Sequence, residues 1–316
     1  MEKKPLIILT GPTAVGKTEL SIRLAKEIGG EIISADSMQV YRAMDIGSAK
    51  ILQEQMQGVR HHLIDVLEPE EDFNVVIFQK LCKKAMEEIY ERGRIPILTG
   101  GTGFYIQSVL YDIDFTENEE NPEYRKELEA FAQSHGAEAL HEKLSEVDPA
   151  SANAIHAHNI KRVIRALEFY RQTGTRISEH NEAEREKEAA YRSCYFVLND
   201  AREKLYRQID RRVEIMLERG LVDEVKFLKE RGLKQGQVSM QGLGYKEILA
   251  YLDGQYSLEE AVYILKRDTR HFAKRQLTWF RREKDVIWIE KGDFHYEEER
   301  MLAFMKENLR EKGIIF

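Results

Sequence analysis

The sequence predicts an α/β protein in which a parallel sheet flanked by helices is interrupted by a mainly helical insertion. Three observations carry that prediction. Short apolar, β-branched runs alternate with segments of helical spacing through residues 1–114, the order that parallel pairing with right-handed crossovers requires. The alternation stops at 115–187, which is rich in Glu, Lys, Ala and Leu and contains no convincing strand. An apolar run at 195–198 then returns the chain to the sheet, so 1–114 and 188–316 form one core and 115–187 the insertion. The chain has 316 residues, 42% of them hydrophobic, which is enough for both parts.

Residues 6–10 make the first strand, and a phosphate-binding pattern follows at once. Gly11, Pro12, Thr13, Ala14, Val15 and Gly16 lead to Lys17 and Thr18, matching Gly-x4-Gly-Lys-Ser/Thr with a helical segment, 18–28, behind it. The glycines let backbone amides turn onto phosphate oxygens, and the new helix adds its positive N-terminal end. Lys17 would neutralise phosphate charge, and the Thr18 hydroxyl would ligate Mg²⁺. A chance match would lack this strand, loop and helix context, so the fold is read as P-loop NTPase-like. The loop alone suits an ATP-dependent kinase or motor, since nucleoside triphosphates are its usual guests.

The second strand, 31–35, ends at Ala35, which places Asp36 beyond the carboxyl edge of the sheet, where ligands of open parallel sheets bind. A carboxylate there can accept a proton or help hold Mg²⁺; it can equally cap a turn. A third strand at 62–66, a helix at 73–92 and a fourth strand at 95–99 follow. After that strand, Gly100, Gly101, Thr102 and Gly103 either allow close approach to a ligand or make a plain turn. Two glycine-rich strand ends and an Asp at a third converge on one crevice.

In the insertion, 122–134 and 160–172 have helical spacing. Beyond the strand at 195–198 come helices at 201–219, 221–231 and 258–282, then a last strand at 286–289. Trp279 and Phe280, at helical spacing, read as core. The net charge is −7, which taken alone argues against nucleic acid, but placement matters more than the sum. Lys266, Arg267, Arg270, Lys274, Arg275, Arg281, Arg282 and Lys284 crowd one stretch, and Lys161, Arg162, Arg165 and Arg171 another. Each stretch is a nucleic-acid surface or a solvated helix face. No apolar run is long enough to span a bilayer, the apolar start is too short for a signal peptide, and Cys82 and Cys194 are the only cysteines. A cytoplasmic protein, with no metal beyond loosely held divalent cations, is expected.

Several motifs are more specific. The phosphate loop, Ser34-Ala-Asp-Ser-Met-Gln-Val-Tyr41, Met44-Asp-Ile-Gly-Ser-Ala-Lys50, Gly100-Gly-Thr-Gly-Phe-Tyr105, Lys161-Arg-Val-Ile-Arg-Ala-Leu-Glu168, Gln241-Gly-Leu-Gly-Tyr-Lys246 and Lys274-Arg-Gln-Leu-Thr-Trp-Phe-Arg281 together resemble the bacterial tRNA dimethylallyltransferases over nearly the whole chain. The resemblance implies transfer of a dimethylallyl group from dimethylallyl diphosphate to N6 of the adenosine just 3′ of the anticodon, with Mg²⁺ assisting. It implies Asp36 as general base. Lys17, Thr18, Thr13 and Arg212 would hold diphosphate and Mg²⁺. Thr102 would contact the target base and Arg125 the tRNA. It also implies tRNA-facing stretches at Asp36, Ser37, Met38 and Gln39; at Lys161, Arg162, Val163, Ile164 and Arg165; at Gln241, Gly242, Leu243, Gly244, Tyr245 and Lys246; and at Lys274 to Arg281, with Lys274, Arg275 and Arg281 as its charges. The partners expected are tRNA and the donor, without a membrane, and the enzyme is expected to be a monomer. An adenylate isopentenyltransferase and a P-loop small-molecule kinase are the competing readings; the insertion and the basic run speak against both.

Overall fold

The computed structural model describes residues 3–115 and 122–316. Residues 1–2 of the signal-peptide-like start and 116–121 of the expected insertion lie outside the described residues. In chain order, β1 (Pro5–Thr10), α1 (Lys17–Ile28), β2 (Gly30–Ala35), β3 (His61–His62), α2 (Val75–Glu91), β4 (Ile95–Gly100) and α3 (Gly103–Leu110) come first. Then follow α4 (Pro122–His135), α5 (Ala137–Val147), α6 (Pro149–Ala154), α7 (Ile160–Thr173) and α8 (Ile177–Glu186). The chain ends with β5 (Arg192–Asn199), α9 (Arg202–Glu218), α10 (Leu221–Glu230), α11 (Tyr245–Leu252), α12 (Leu258–Phe280), β6 (Val286–Glu290) and α13 (Glu298–Glu311).

The chain divides into two compact units, one running up to Leu110 and resuming over Ala189–Phe316, the other Tyr111–Glu188. In the first, six strands pair in parallel in the order β3-β2-β4-β1-β5-β6. Leu6, Ile7, Ile8 and Leu9 are all fully buried, as a strand covered on both faces by helices must be. Burying four such side chains contributes on the order of 1.5–3 kcal/mol each. Helix α2 starts at Val75, two residues later than its spacing suggests, because the Asn74 side chain accepts from the amides of Val76 and Ile77 and caps it there. The strand expected at 62–66 is only His61–His62: Leu63 and Asp65 take positive φ values of 61° and 55°, which no strand accommodates. Asp65 instead pairs with the buried Lys50 ammonium at 2.6 Å.

The second unit has its own core of Leu128, Ala132, Leu140, Leu144, Val163, Ile164 and Leu167. Asp148 caps α6 and accepts from the amides and hydroxyls of both Ser151 and Ser178. Burial pushes its carboxyl up, but these four hydrogen bonds prevail and hold it below the usual carboxylate range.

Candidate active site

Strand register builds the site. Thr10 stands level with Gly100, and Gly100 with Ala35, so the loops that begin at Gly11, Asp36 and Gly101 leave the carboxyl edge side by side. A Cβ on Gly100 would collide with the Ala35 backbone, and one on Gly11, whose φ is +148°, with the Leu198 carbonyl. Only glycine permits strands and loop to approach this closely.

Helix α1 begins at Lys17 with Gly16 as its N-cap, so its first-turn amides have no intrahelical acceptor. The Lys17 ammonium donates to the carbonyls of Gly11 and Pro12 at 2.9 and 2.8 Å. Lys17, Thr18 and Arg212 line one cavity of 780 Å³, with Arg212 supplied by α9. Desolvation, then the Arg212 guanidinium, pushes Lys17 down to about 7, with Asp36 opposing. Desolvation likewise holds Arg212 below its ordinary value, again with Asp36 opposing. Two basic side chains and one carboxylate therefore share a neighbourhood, and an anion placed there would favour the charged form of both bases.

Asp36 combines the two roles open to it in the sequence. Its Oδ1 accepts from the Met38 amide at 2.8 Å and the Gln39 amide at 3.4 Å, which fixes the turn, while Oδ2 makes no hydrogen bond among the described residues. Burial, then Asp36, pushes the Tyr105 phenol up to about 12, so the carboxylate also acts on the helix that follows Thr102. Thr102 is half-buried, its amide 3.4 Å from the Ala35 carbonyl.

Ser37, Met38 and Gln39 are half-buried, and a Cβ on Gly242 would press on Met38, which brings 36–39 and 241–246 together. Glu224 secures this region from α10. Its carboxylate accepts from the amides of Asp45, Ile46 and Gly47 at 2.7–3.0 Å and from the Tyr245 hydroxyl at 2.8 Å. Gln241, Leu243 and Lys246 keep exposure, whereas Gly242, Gly244 and Tyr245 are buried; Tyr245 supports the segment from inside.

The basic run divides. Lys266 pairs with Glu214 at 2.9 Å, Arg270 with Asp210 at 2.6 Å and Arg267 with Asp268 at 2.8 Å. Lys274, Arg275 and Arg281 are exposed and form no ion pair among the described residues. Phe280 is fully buried, but Trp279 only half: its indole packs against Gly103 and edge-on to Phe104 at 6.2 Å, and borders a 390 Å³ cavity with His271, Lys274, Arg275 and Arg282. The expected core role thus holds for Phe280 and is corrected for Trp279, which spans core and surface. In the helical unit Lys161, Arg162 and Arg165 are exposed, but Val163 and Ile164 are 0% and 4% exposed and serve that unit's core. Arg125 there forks onto Glu168 at 3.0 and 2.9 Å.

The wall of the phosphate cavity contains residues that sequence reasoning passed over. Lys204, Arg207 and Arg211 line it from α9, and their spacing of three and four is the signal that puts them on one helix face. Asp200 and Tyr296 join them, the Tyr296 hydroxyl donating to Asp200 at 3.1 Å.

A parallel sheet with a Gly-x4-Gly-Lys-Thr loop at its carboxyl edge, and an arginine and a carboxylate near that loop, define an α/β protein of the P-loop class. The chain belongs to the IPP transferase family, whose model matches residues 39–283. It is 62% identical to the tRNA dimethylallyltransferase of Lachnoclostridium phytofermentans over 312 residues, 99% of each chain. Among solved structures it is similar to a full-length tRNA isopentenylpyrophosphate transferase from Bacillus halodurans, with 47% identity, a TM-score of 0.74 and coverage of 99% of this chain and 98% of that one. It is also similar to a eukaryotic dimethylallyltransferase acting on tRNA, with 31% identity, a TM-score of 0.78 and coverage of 91% of this chain and 74% of that one.

Proposed function

We propose that this chain transfers the dimethylallyl group of dimethylallyl diphosphate to N6 of the adenosine 3′-adjacent to the anticodon in tRNA and releases diphosphate. The observation that carries the reading is the convergence of Lys17 and Arg212 on one phosphate cavity, with Asp36 near enough to act on both. Membership of the IPP transferase family makes the gripped phosphates those of a leaving group.

The amine lone pair forms a bond to the allylic carbon as the carbon–oxygen bond to diphosphate breaks. Negative charge then grows on the diphosphate, where Lys17, Arg212 and the first-turn amides of α1 stabilise it. Adenine N6 is a weak nucleophile because its lone pair is delocalised, and Asp36 accepts its proton through the unengaged Oδ2. The target base leaves its stack to enter the crevice, where Thr102 contacts it.

Mg²⁺ fits the residues present. Thr18 lines the cavity and its hydroxyl is a hard oxygen donor, which suits an ion that takes one or two protein oxygens and keeps water and substrate oxygens as its other ligands. Thr18 would provide its hydroxyl, and bound Mg²⁺ would neutralise charge on the diphosphate. In the first unit the tRNA contacts would be 36–39, the exposed members of 241–246, Lys274, Arg275 and Arg281; in the helical unit, taken by itself, they would be Arg125, Lys161, Arg162 and Arg165. No described helix is long and apolar enough to cross a membrane. The reading takes the enzyme as a cytoplasmic monomer.

Incubation with dimethylallyl diphosphate, Mg²⁺ and unmodified tRNA, followed by mass spectrometry of the nucleosides, tests this. The expected product is one dimethylallyl-adenosine at the position next to the anticodon. Prenylation of free adenylate with no change in tRNA would contradict it.

A further inference from the structure

Gln276 lies on the inward face of α12, next to the exposed Arg275, and is 5% exposed. Its side-chain amide joins two loops far apart in the chain. Oε1 accepts from the Thr13 amide at 2.9 Å, and Nε2 donates to the Gly101 carbonyl at 2.9 Å. Thr13 belongs to the phosphate loop, and Gly101 precedes Thr102. A Cβ on Gly101 would run into the Gln276 amide, so the turn comes as close as a backbone can. A planar amide carries a donor and an acceptor on one rigid group, which is what joining one N–H to one C=O requires.

We propose that Gln276 is a positioning residue that holds the phosphate loop and the Gly101–Thr102 turn at a fixed separation, and thereby sets the distance between the allylic carbon and the attacking amine. The proposal rests on the prenyl-transfer reading. Both hydrogen bonds are made within the protein, so Gln276 acts through the loops and not on a reacting atom. Rates depend steeply on near-attack geometry, a misplacement of about 1 Å costing on the order of a hundredfold. Each substrate keeps its own contacts when the bridge is lost, so the loss belongs in kcat.

The test compares the unsubstituted protein with Gln276→Ala, Gln276→Met and Gln276→Glu in steady-state kinetics with donor and tRNA varied in turn, alongside thermal unfolding. Gln276→Ala and Gln276→Met should lose roughly tenfold to a hundredfold in kcat, with both KM values within about threefold. Gln276→Glu can still accept from Thr13, but donates to Gly101 only when protonated. Its activity relative to the unsubstituted protein should therefore rise as pH falls, and the ratio removes every titration that the two proteins share. Hydrogen exchange at the phosphate loop supplies a readout free of catalysis, with faster exchange at Thr13 expected in the Ala and Met variants. Transfer absent from the unsubstituted protein, with that exchange change present, would sink the prenyl-transfer reading and leave the bridge standing. A kcat within about threefold of the unsubstituted protein, unchanged exchange at Thr13, or a loss confined to KM would overturn the positioning role.

Discussion

At Asp36 one carboxylate oxygen does structural work and the other is left for chemistry. Oδ1 holds the Met38 and Gln39 amides, and an Asn can keep that oxygen in place. Asp36→Asn should therefore preserve the turn and tRNA affinity while slowing single-turnover transfer by on the order of a hundredfold or more; a rate within about threefold of the unsubstituted protein would remove Asp36 as the base. Lys17 makes a second prediction. With its ammonium pushed down to about 7, the ligand-free protein has largely released this proton at pH 8, and the charge of a bound diphosphate restores it. Donor affinity should weaken as pH rises through 7, and binding at pH 8 should take up about one proton. Calorimetry in two buffers of different ionisation enthalpy measures that uptake, which Lys17→Ala should abolish. The same shift makes the ligand-free fold gain stability as pH rises between about 7 and the ordinary lysine value, because the unfolded chain there still holds a proton that the folded chain has lost.

At the scale of the element, α12 does three jobs along its length. Lys266–Glu214 and Arg270–Asp210 tie it to α9, Gln276 in its last turns points inward, and the neighbouring Lys274 and Arg275 are exposed, as is Arg281 just beyond it. A run of like charges in the sequence therefore overstates the exposed basic surface, since the carboxylates that neutralise Lys266 and Arg270 lie 52 and 60 residues earlier on α9. Arg275→Glu should weaken tRNA binding and flatten its salt dependence, because fewer counterions are released per complex. Arg270→Ala should leave the salt slope unchanged and cost at most about 1 kcal/mol of stability, the value of a partly exposed pair. Titrations at several salt concentrations would decide between the two, and an effect of Arg270→Ala on the slope as large as that of Arg275→Glu would refute the division. Within α7 the same logic separates exposed Lys161, Arg162 and Arg165 from buried Val163 and Ile164: a motif of five consecutive residues on a helix cannot all face one partner.

For the whole molecule, what could be read in advance follows from how far apart the determining residues lie. The phosphate loop is local, with strand, glycines, Lys17 and helix inside one stretch of sequence, so it was plain. The level alignment of Thr10, Ala35 and Gly100 followed from parallel pairing, so the convergence of Gly11, Asp36 and Gly101 was legible as well. Gln276 was not, since its partners are 263 and 175 residues away and a lone Gln on an amphipathic helix carries no pattern. The third strand, expected at 62–66, is only His61–His62, because Leu63 and Asp65 take positive φ values and Asp65 pairs with Lys50, neither of which leaves a local pattern. The cationic wall of Lys204, Arg207 and Arg211 was written in helical spacing, yet its meaning depended on knowing which face of α9 meets the loop. On the proposed function, this loop grips a leaving group and not a phosphoryl donor. The most direct test is to supply dimethylallyl diphosphate and ATP together with unmodified tRNA and Mg²⁺, and to count diphosphate, orthophosphate and modified adenosine in the same reaction. One diphosphate should be released for each adenosine prenylated, with ATP left intact. Orthophosphate released from ATP in a tRNA-dependent manner, with the base unmodified, would contradict it.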